Sequence, residues 1–483
     1  MKQSSSEGEL AAFLRGELHR YSPGEKLPSS RALVERFRVS PVTVTRALAA
    51  LAAEGLVVTR PGAGAFRAQP RATGRSTGDT SWQQVALSAE LSGEVPRTVE
   101  AGGVLATLAA PPPGAVELSG GYLPDGLRAE RALAAALARA GRRPGAWDRP
   151  PVEGLTDLRA WFAREIDGGT GTLTAADVLV TAGGQSAITT ALRALAPPGS
   201  PVLVESPTYP GILAVARASG VRPVPVPVDG EGIRPDLLER AFSASGARVL
   251  ICQPLHQNPT GAVLAPERRR AVLAVARAAG AFVVEDDYAR MLAHEDAPPA
   301  PPPMAADDPD GTVVHIRSLT KATSPSFRVG AIAARGPVAE RLRAIQTVES
   351  FFVARPLQEA ALDLVGGPAW PRHLRTVARE LRLRREAMGA ALATGTPPGV
   401  AVPPLPRGGF HVWLPLPEGT DETALAAAAL GAGVSVAPGR PYFAAEPPAP
   451  FLRLGIASAT GPREIAEGVR RLYASWPGGR ARA

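Results

Sequence analysis

Between residues 178 and 334 the chain alternates short apolar runs with stretches of helical periodicity. Val178–Thr181, Pro201–Glu205, Val221–Val226, Arg248–Cys252, Phe282–Glu285, Val313–Ile316 and Gly330–Ala334 read as strands. Gln185–Leu195, Tyr209–Ser219, Pro235–Ser243 and Pro266–Ala279 read as helices between several of them. Parallel strands need long crossovers, and helices supply them, so this alternation predicts an α/β body on a mainly parallel sheet. Ligands of such sheets bind beyond the carboxyl ends of the strands.

The strand ends carry the chemistry-bearing residues. After DVLVT, the turn Ala182-Gly183-Gly184-Gln185-Ser186 opens a helix, whose first backbone N–H groups can hold an anion. The next strand end, SPTYPG, places Tyr209, whose face can stack on a flat ring or simply pack. LHQNPTG follows RVLICQP, and Asn258 before a proline suits an ordered turn. Glu285-Asp286-Asp287-Tyr288 follows FVV; no histidine pair at ligand spacing accompanies it, so no metal is expected. Arg317-Ser318-Leu319-Thr320-Lys321 follows VVHI, with Arg328 seven residues further on.

Composition singles out Lys321. Of 53 basic residues, three are lysines: Lys2, Lys26 and Lys321. An arginine stays protonated, whereas a lysine can lose its proton and attack an aldehyde. One cysteine, Cys252, excludes an intramolecular disulfide and a multi-cysteine metal site, and suits a reducing cytoplasm. MKQSSSEGEL has no apolar core, so no signal peptide is expected, and no uninterrupted apolar stretch suits a membrane span.

The front of the chain differs from the body. Of the net charge of +8, residues 1–75 hold +6. Such an arm is either a solvated basic segment or a partner for a polyanion. Within residues 7–68, Glu9–Leu18 has helical spacing, with Leu10, Phe13, Leu14 and Leu18 inward. The turn SPGEKLPSS ends in a serine cap for a helix over Ser30–Phe37, and Pro41 starts another reaching Glu54. Leu56–Thr59 and Ala65–Ala68 form a small wing. The order is that of a winged helix-turn-helix. Its third helix presents Thr43, Thr45 and Arg46; Ser30 and Arg31 start the second; Arg60 and Gly62 belong to the wing. These are the candidate DNA contacts, the alternative being a three-helix protein-interaction module. Residues 69–100, polar and rich in Ser, Gly and Thr, read as a flexible linker with a possible helix in Ser81–Leu91; residues 101–483 form the body.

LPSSRALVERFRVSPVTVTRALAALAAEGLVVTRPGAGAF resembles the GntR-type DNA-binding domain. It departs at Pro41, where that family usually has arginine, so one contact is not carried over. NPTG, then an Asp-x-Tyr, then S-x-T-K with a downstream arginine resemble the fold-type I pyridoxal-phosphate aminotransferases over most of residues 115–483. That resemblance implies a smaller C-terminal α+β subdomain and a set of roles. Lys321 would hold pyridoxal 5'-phosphate as an imine, and Asp286 would keep its ring nitrogen protonated. Tyr288 and Asn258 would bond the phenolic oxygen, and Tyr209 would stack on the ring. Gly184, Gln185, Ser318 and Arg328 would bind the phosphate. Arg453, in FLRLGIAS, would clamp a carboxylate of substrate or effector. Trp147 stands where these enzymes usually carry a tyrosine for the partner subunit's phosphate, and the proline-rich insert Ala297–Met304 reads as a surface loop.

Module, linker and body in this order resemble the MocR subfamily of regulators. The resemblance implies a head-to-tail homodimer that binds double-stranded DNA and senses pyridoxal phosphate, an amine or an amino acid. The alternative is a functional aminotransferase, moving an amino group to a 2-oxo acid, that carries a DNA-binding module.

Overall fold

The structure is a computed structural model, and it describes residues 3–18, 21–60, 62–68 and 99–476. The expected helix in Ser81–Leu91 and nearly all of the linker lie outside the described residues. Two compact units emerge, Met1–Leu91 and Ser92–Ala483.

In the first unit, α1 (Gln3–Glu17), α2 (Ser30–Phe37) and α3 (Pro41–Ala53) precede the antiparallel strands β1 (Val57–Arg60) and β2 (Gly64–Arg67). Local signals place the helices. Ser29 caps α2 by accepting from the Ala32 N–H, and Ser40 caps α3 by accepting from the Thr43 N–H, with Pro41 in the first turn. Leu10, Leu14, Leu33, Val44, Leu48 and Leu51 are buried together. Phe13, expected inward, is 45% exposed; it sits at the rim with its ring 5.0 Å from that of Phe37, edge to face. SPGEKLPSS does more than turn. The Leu27 N–H donates to Ala65 O and the Arg67 N–H to Glu25 O, so β2 is paired on both edges.

The body opens with α4 (Gly102–Leu108) and β3 (Val116–Glu117). Its central sheet holds β4 (Val178–Thr181), β5 (Pro201–Ser206), β6 (Arg222–Asp229), β7 (Gly232–Ile233), β8 (Val249–Cys252), β9 (Phe282–Asp287), β10 (Val313–Ser318) and β11 (Gly330–Ala333). The order across the sheet is β4-β11-β10-β9-β8-β5-β6-β7. β10, β9, β8, β5 and β6 are mutually parallel. β11 is antiparallel to both neighbours, and β7 is antiparallel to β6, so the sheet is mixed. Connection length explains both exceptions. No helix separates β10 from β11 and only Gly230-Glu231 separates β6 from β7, and such links are too short to cross over.

Alternate residues of each strand enter different cores. Val283 packs in the larger one and Val284 in the smaller, which includes Ile188 and Leu192 from the helix Gly184–Leu195 and Ile212 from the helix Pro210–Ala218. With both faces covered, strands such as β5 and β8 carry continuous apolar runs, VLV and VLIC. The C-terminal part carries a three-stranded antiparallel sheet, β12 (His411–Pro415), β15 (Phe451–Gly455) and β14 (Ala437–Pro438), with helices at Ala369–Ala393 and Pro462–Ala474. β13 (Val434–Ser435) pairs with β3 and ties this part to the start of the body.

The proline-rich insert is not wholly a surface loop. Pro298 to Ala300 are exposed, but Pro303 and Met304 are buried. The Met304 and Ala305 N–H groups donate to the Glu285 carboxylate at 2.9 and 3.2 Å. Pro301 O and Pro302 O accept from the Arg290 and Arg269 guanidinium groups. A proline run makes no internal hydrogen bonds, so its carbonyls remain open to such donors. Among the described residues no helix is long and apolar enough to cross a membrane.

Candidate functional site

A cavity of about 380 Å3 lies beyond the carboxyl ends of the parallel strands, within the usual size of small-molecule sites. All ten sequence-derived body residues line it: Gly184, Gln185, Tyr209, Asn258, Asp286, Tyr288, Ser318, Lys321, Arg328 and Arg453. They arrive on several different elements. Gly184 and Gln185 open a helix behind Gly183, whose φ of +83° favours glycine. Tyr209 caps the helix Pro210–Ala218, Asp286 sits near the end of β9 and Ser318 ends β10.

Lys321 points its Nζ at Gly121 O, 2.7 Å away, and over the Tyr122 ring, 3.6 Å from the centroid. Burial, and then the charges of Arg453 and Arg328, push its pKa down from 10.5 to about 7. Near neutrality much of this lysine is therefore an uncharged nucleophile. Asp286 moves the other way. Burial raises it to about 6, although the Gln253 amide donates to it at 2.7 Å.

Arg328 donates to Ala182 O at 3.0 Å and to Thr320 Oγ1 at 3.3 Å, which sets its guanidinium against the turn before Gly184. A Cβ on Gly183 would lie 2.6 Å from its Nη2, so that turn admits the arginine because the glycine has no side chain. The Ser318 hydroxyl accepts from the Thr320 N–H. Cation, hydroxyl and helix N-terminus together suit a phosphate.

Tyr288 donates its hydroxyl to His256 O at 2.7 Å, and burial raises the pKa of both Tyr288 and Tyr209, so both stay protonated. Arg453 donates to Ser119 O and approaches Asn258 Oδ1 at 3.5 Å, while its Nε has no partner among the described residues. His411 Nε2 stands 3.4 Å from this guanidinium, and burial, then Arg453 and Lys321, hold the imidazole well below its ordinary pKa. It is neutral. A buried cation with an orphaned donor and no carboxylate beside it suits an anionic ligand group.

Sequence reading missed Tyr122, Gln253 and His411. Gln253 directly follows β8, so the strand-end rule could have found it. Tyr122 and His411 reach the lysine only through the tertiary fold.

On the opposite face of β9, Glu285, Asp287 and His315 offer ligand atoms within 4.8 Å of one another, a grouping the missing histidine pair did not foretell. The histidine comes from the next strand. His315 Nδ1 is 2.8 Å from Glu285, and Arg317 and Arg290 both donate to Asp287 at 3.0 and 2.7 Å. With two arginines on one carboxylate, the cluster is balanced as an ion-pair network.

In the first unit Ser30, Arg31, Thr45, Arg46, Arg60 and Gly62 are exposed and Thr43 is half-buried. Thr45 donates to Pro41 O at 2.9 Å, and the Thr43 and Ser40 hydroxyls are 2.8 Å apart, which fixes both rotamers at the exposed start of α3. The Arg60 guanidinium lies 4.8 Å from the Phe66 ring centroid, and Gly62 has φ +72° at the wing tip. Trp147 is 81% exposed.

Residues 117–472 match the family "Aminotransferase class I and II", and residues 9–66 match "Bacterial regulatory proteins, gntR family". The chain belongs to the MocR-type GntR regulators. It is 30% identical over 438 residues to the uncharacterized HTH-type transcriptional regulator YjiR of Escherichia coli (strain K12), with 88% of each chain covered. It is 31% identical to the vitamin B6 salvage pathway transcriptional repressor PtsJ of Salmonella typhimurium (strain LT2), covering 65% of this chain and 70% of the relative. Among solved structures it is similar to the α-aminoadipate aminotransferase LysN from Thermus thermophilus, complexed with N-(5'-phosphopyridoxyl)-L-leucine. The TM-score there is 0.72 at 30% identity, over 81% of this chain and 97% of that one.

Proposed function

We propose that this protein is a pyridoxal-phosphate-dependent transcriptional regulator, whose body binds the cofactor and reads an amine through it. The carrying observation is the convergence on one cavity of a lysine held near pKa 7, a buried aspartate and an arginine seated at a helix N-terminus. The same chain carries a GntR-family DNA-binding domain. Similarity to a vitamin B6 repressor supports the reading.

The cavity suits this cofactor on its own evidence. An orphaned Gln185 Oε1 and Arg453 Nε lie in its wall, and its donor set offers cation, carboxylate and aromatic faces. When bound, pyridoxal phosphate supplies an aldehyde that exchanges one amine for another. Lys321 would hold it covalently, with Gly184, Gln185, Ser318 and Arg328 binding the phosphate. Asp286 would keep a proton on the ring nitrogen, Tyr288 and Asn258 would hold the phenolic oxygen, and Tyr209 would cover the ring. Arg453 would take the carboxylate of an incoming amino compound. An amine bound this way favours one dimer state by its difference in affinity for the two, and DNA affinity follows. The dimer in this reading is head-to-tail. Thr43, Thr45 and Arg46 would enter the major groove, with Ser30, Arg31, Arg60 and Gly62 on the backbone.

Titration with pyridoxal phosphate should give a long-wavelength absorbance band that Lys321→Ala abolishes; no band in the native protein refutes the reading. Binding to DNA beside its own gene should be sequence-specific and salt-sensitive. The complete set around Lys321 also favours a second reading, a working aminotransferase. Sustained turnover of an amino donor with a 2-oxo acid, without an effect on DNA affinity, would establish that one instead.

A further inference from the structure

We infer that Gln253 is a positioning residue, whose single amide orients Asp286 toward the ring nitrogen and Asn258 toward the phenolic oxygen and so holds both polar ends of the cofactor ring in one fixed relation. This rests on the cofactor reading above and adds to it a residue that the sequence motifs do not include.

Strand register puts the amide beside the acid. Cys252 of β8 stands opposite Glu285 of β9. The next pair, Gln253 and Asp286, therefore turns to the opposite face, and both line the cavity. Gln253 Nε2 donates to Asp286 Oδ2 at 2.7 Å, and Gln253 Oε1 accepts from the Asn258 N–H at 3.0 Å. These two bonds fix the orientation of the amide. Turned over, it would set an acceptor against a carboxylate and a donor against an N–H. The backbone is braced as well. The Gln253 N–H donates to Glu205 Oε2 at 3.0 Å, and the Gln257 amide reaches the same oxygen at 3.2 Å. Gln253 is buried, so water competes little for either of its side-chain bonds.

The amide acts on the acid in two ways. It occupies Oδ2, which leaves Oδ1 for the ring nitrogen. It also favours the ionised carboxylate, against the burial that pushes this acid toward neutrality. At its other end it pins the backbone of Asn258, whose side chain would meet the phenolic oxygen. Asp286 ends one strand and Asn258 lies in the turn after another, and Gln253 is bonded to both.

The experiment is absorbance titration of the full chain with pyridoxal phosphate at pH values between about 5.5 and 9, with thermal unfolding of the cofactor-free forms as the folding control. Gln253→Met keeps the volume and removes both bonds, so cofactor affinity should fall at least about tenfold. Partners of the ring nitrogen and of the phenolic oxygen both draw charge away from the imine. Misplacing them should raise the pH midpoint of the cofactor band by about one unit. Gln253→Glu should bind within about threefold of native near pH 5.5, where a protonated carboxyl can donate to Asp286 and accept from Asn258. By about pH 8.5 it should fall at least a further tenfold behind native, because two carboxylates then face each other. A Gln253→Met variant that keeps the native midpoint, whatever its affinity, shows packing alone and overturns the inference. So does a Gln253→Glu variant whose affinity relative to native is the same at both pH values. If the native protein gives no band, the cofactor reading itself fails.

Discussion

Gly183→Ala tests whether the turn before Gly184 exists to admit Arg328. Gly183 has φ +83° and ψ 177°, a region that side chains avoid at a cost of about 1–3 kcal/mol. Its new Cβ would stand 2.6 Å from Arg328 Nη2 and 2.8 Å from Cζ. The guanidinium is the movable partner, and moving it breaks its bonds to Ala182 O and Thr320 Oγ1. If that guanidinium binds the phosphate, displacing it removes a charge-assisted pair worth about 2–3 kcal/mol. Affinity for pyridoxal phosphate should then fall roughly thirty- to one-hundred-and-sixty-fold. The assay is absorbance titration of the native protein, Gly183→Ala, Arg328→Ala and the double variant, with thermal unfolding of the cofactor-free forms as the folding control. Both single changes remove one contact, so the double variant should lose little more than Arg328→Ala alone. Gly183→Ala binding within threefold of native, or losses that simply add, would refute the reasoning.

Capture of pyridoxal phosphate needs neutral Lys321, so its rate in stopped-flow absorbance should rise about tenfold per pH unit up to about 7 and level off above, whereas an ordinary lysine would place the midpoint near 10.5. Burial raises Asp286 from its ordinary 3.8 to about 6 in the folded protein, so stability should fall as pH rises through that window. Asp286→Asn should therefore gain about 2–3 kcal/mol in urea unfolding of the cofactor-free protein at pH 7, while binding cofactor less tightly. Arg46→Ala should weaken binding to DNA in mobility-shift assays and lower the salt slope by about 1 if it meets a phosphate; unchanged affinity counts against α3 as the reading helix. Leu51→Ala, in the buried core of the first unit, should cost about 2–5 kcal/mol and abolish DNA binding, while the cofactor band of the body persists.

Strand positions could be read from the sequence because burial on both faces leaves continuous apolar runs; all four residues of VLVT in β4 are buried. Strand direction could not. β11 looks like its neighbours, and only the missing crossover helix reverses it. Turn residues such as Gly183 and Asn258 announce themselves through their backbone demands, so the strand-end part of the site was legible. Gly121 lies 200 residues from the lysine whose ammonium it accepts, and His411 arrives on a strand of the other sheet. Neither carries a local pattern. The insert at Ala297–Met304 misleads for a different reason: its composition suits solvent, while its carbonyls and the N–H groups after it serve buried charges.

The acidic run at the end of β9 has a consequence for how the strand finds its place. Glu285, Asp286 and Asp287 are chemically alike, so apolar pairing alone would tolerate a one-residue slip that turns every side chain to the opposite face. The neighbouring strand forbids it. His315 stands opposite Glu285 and Arg317 opposite Asp287, two bases spaced to meet the flanking acids and to leave the middle one unpaired. A slipped strand would set a single acid against two bases and aim two carboxylates into the cavity. The ion pairs thus work as a key that admits one alignment, and the acid left out of the pairing is the one delivered to the lysine.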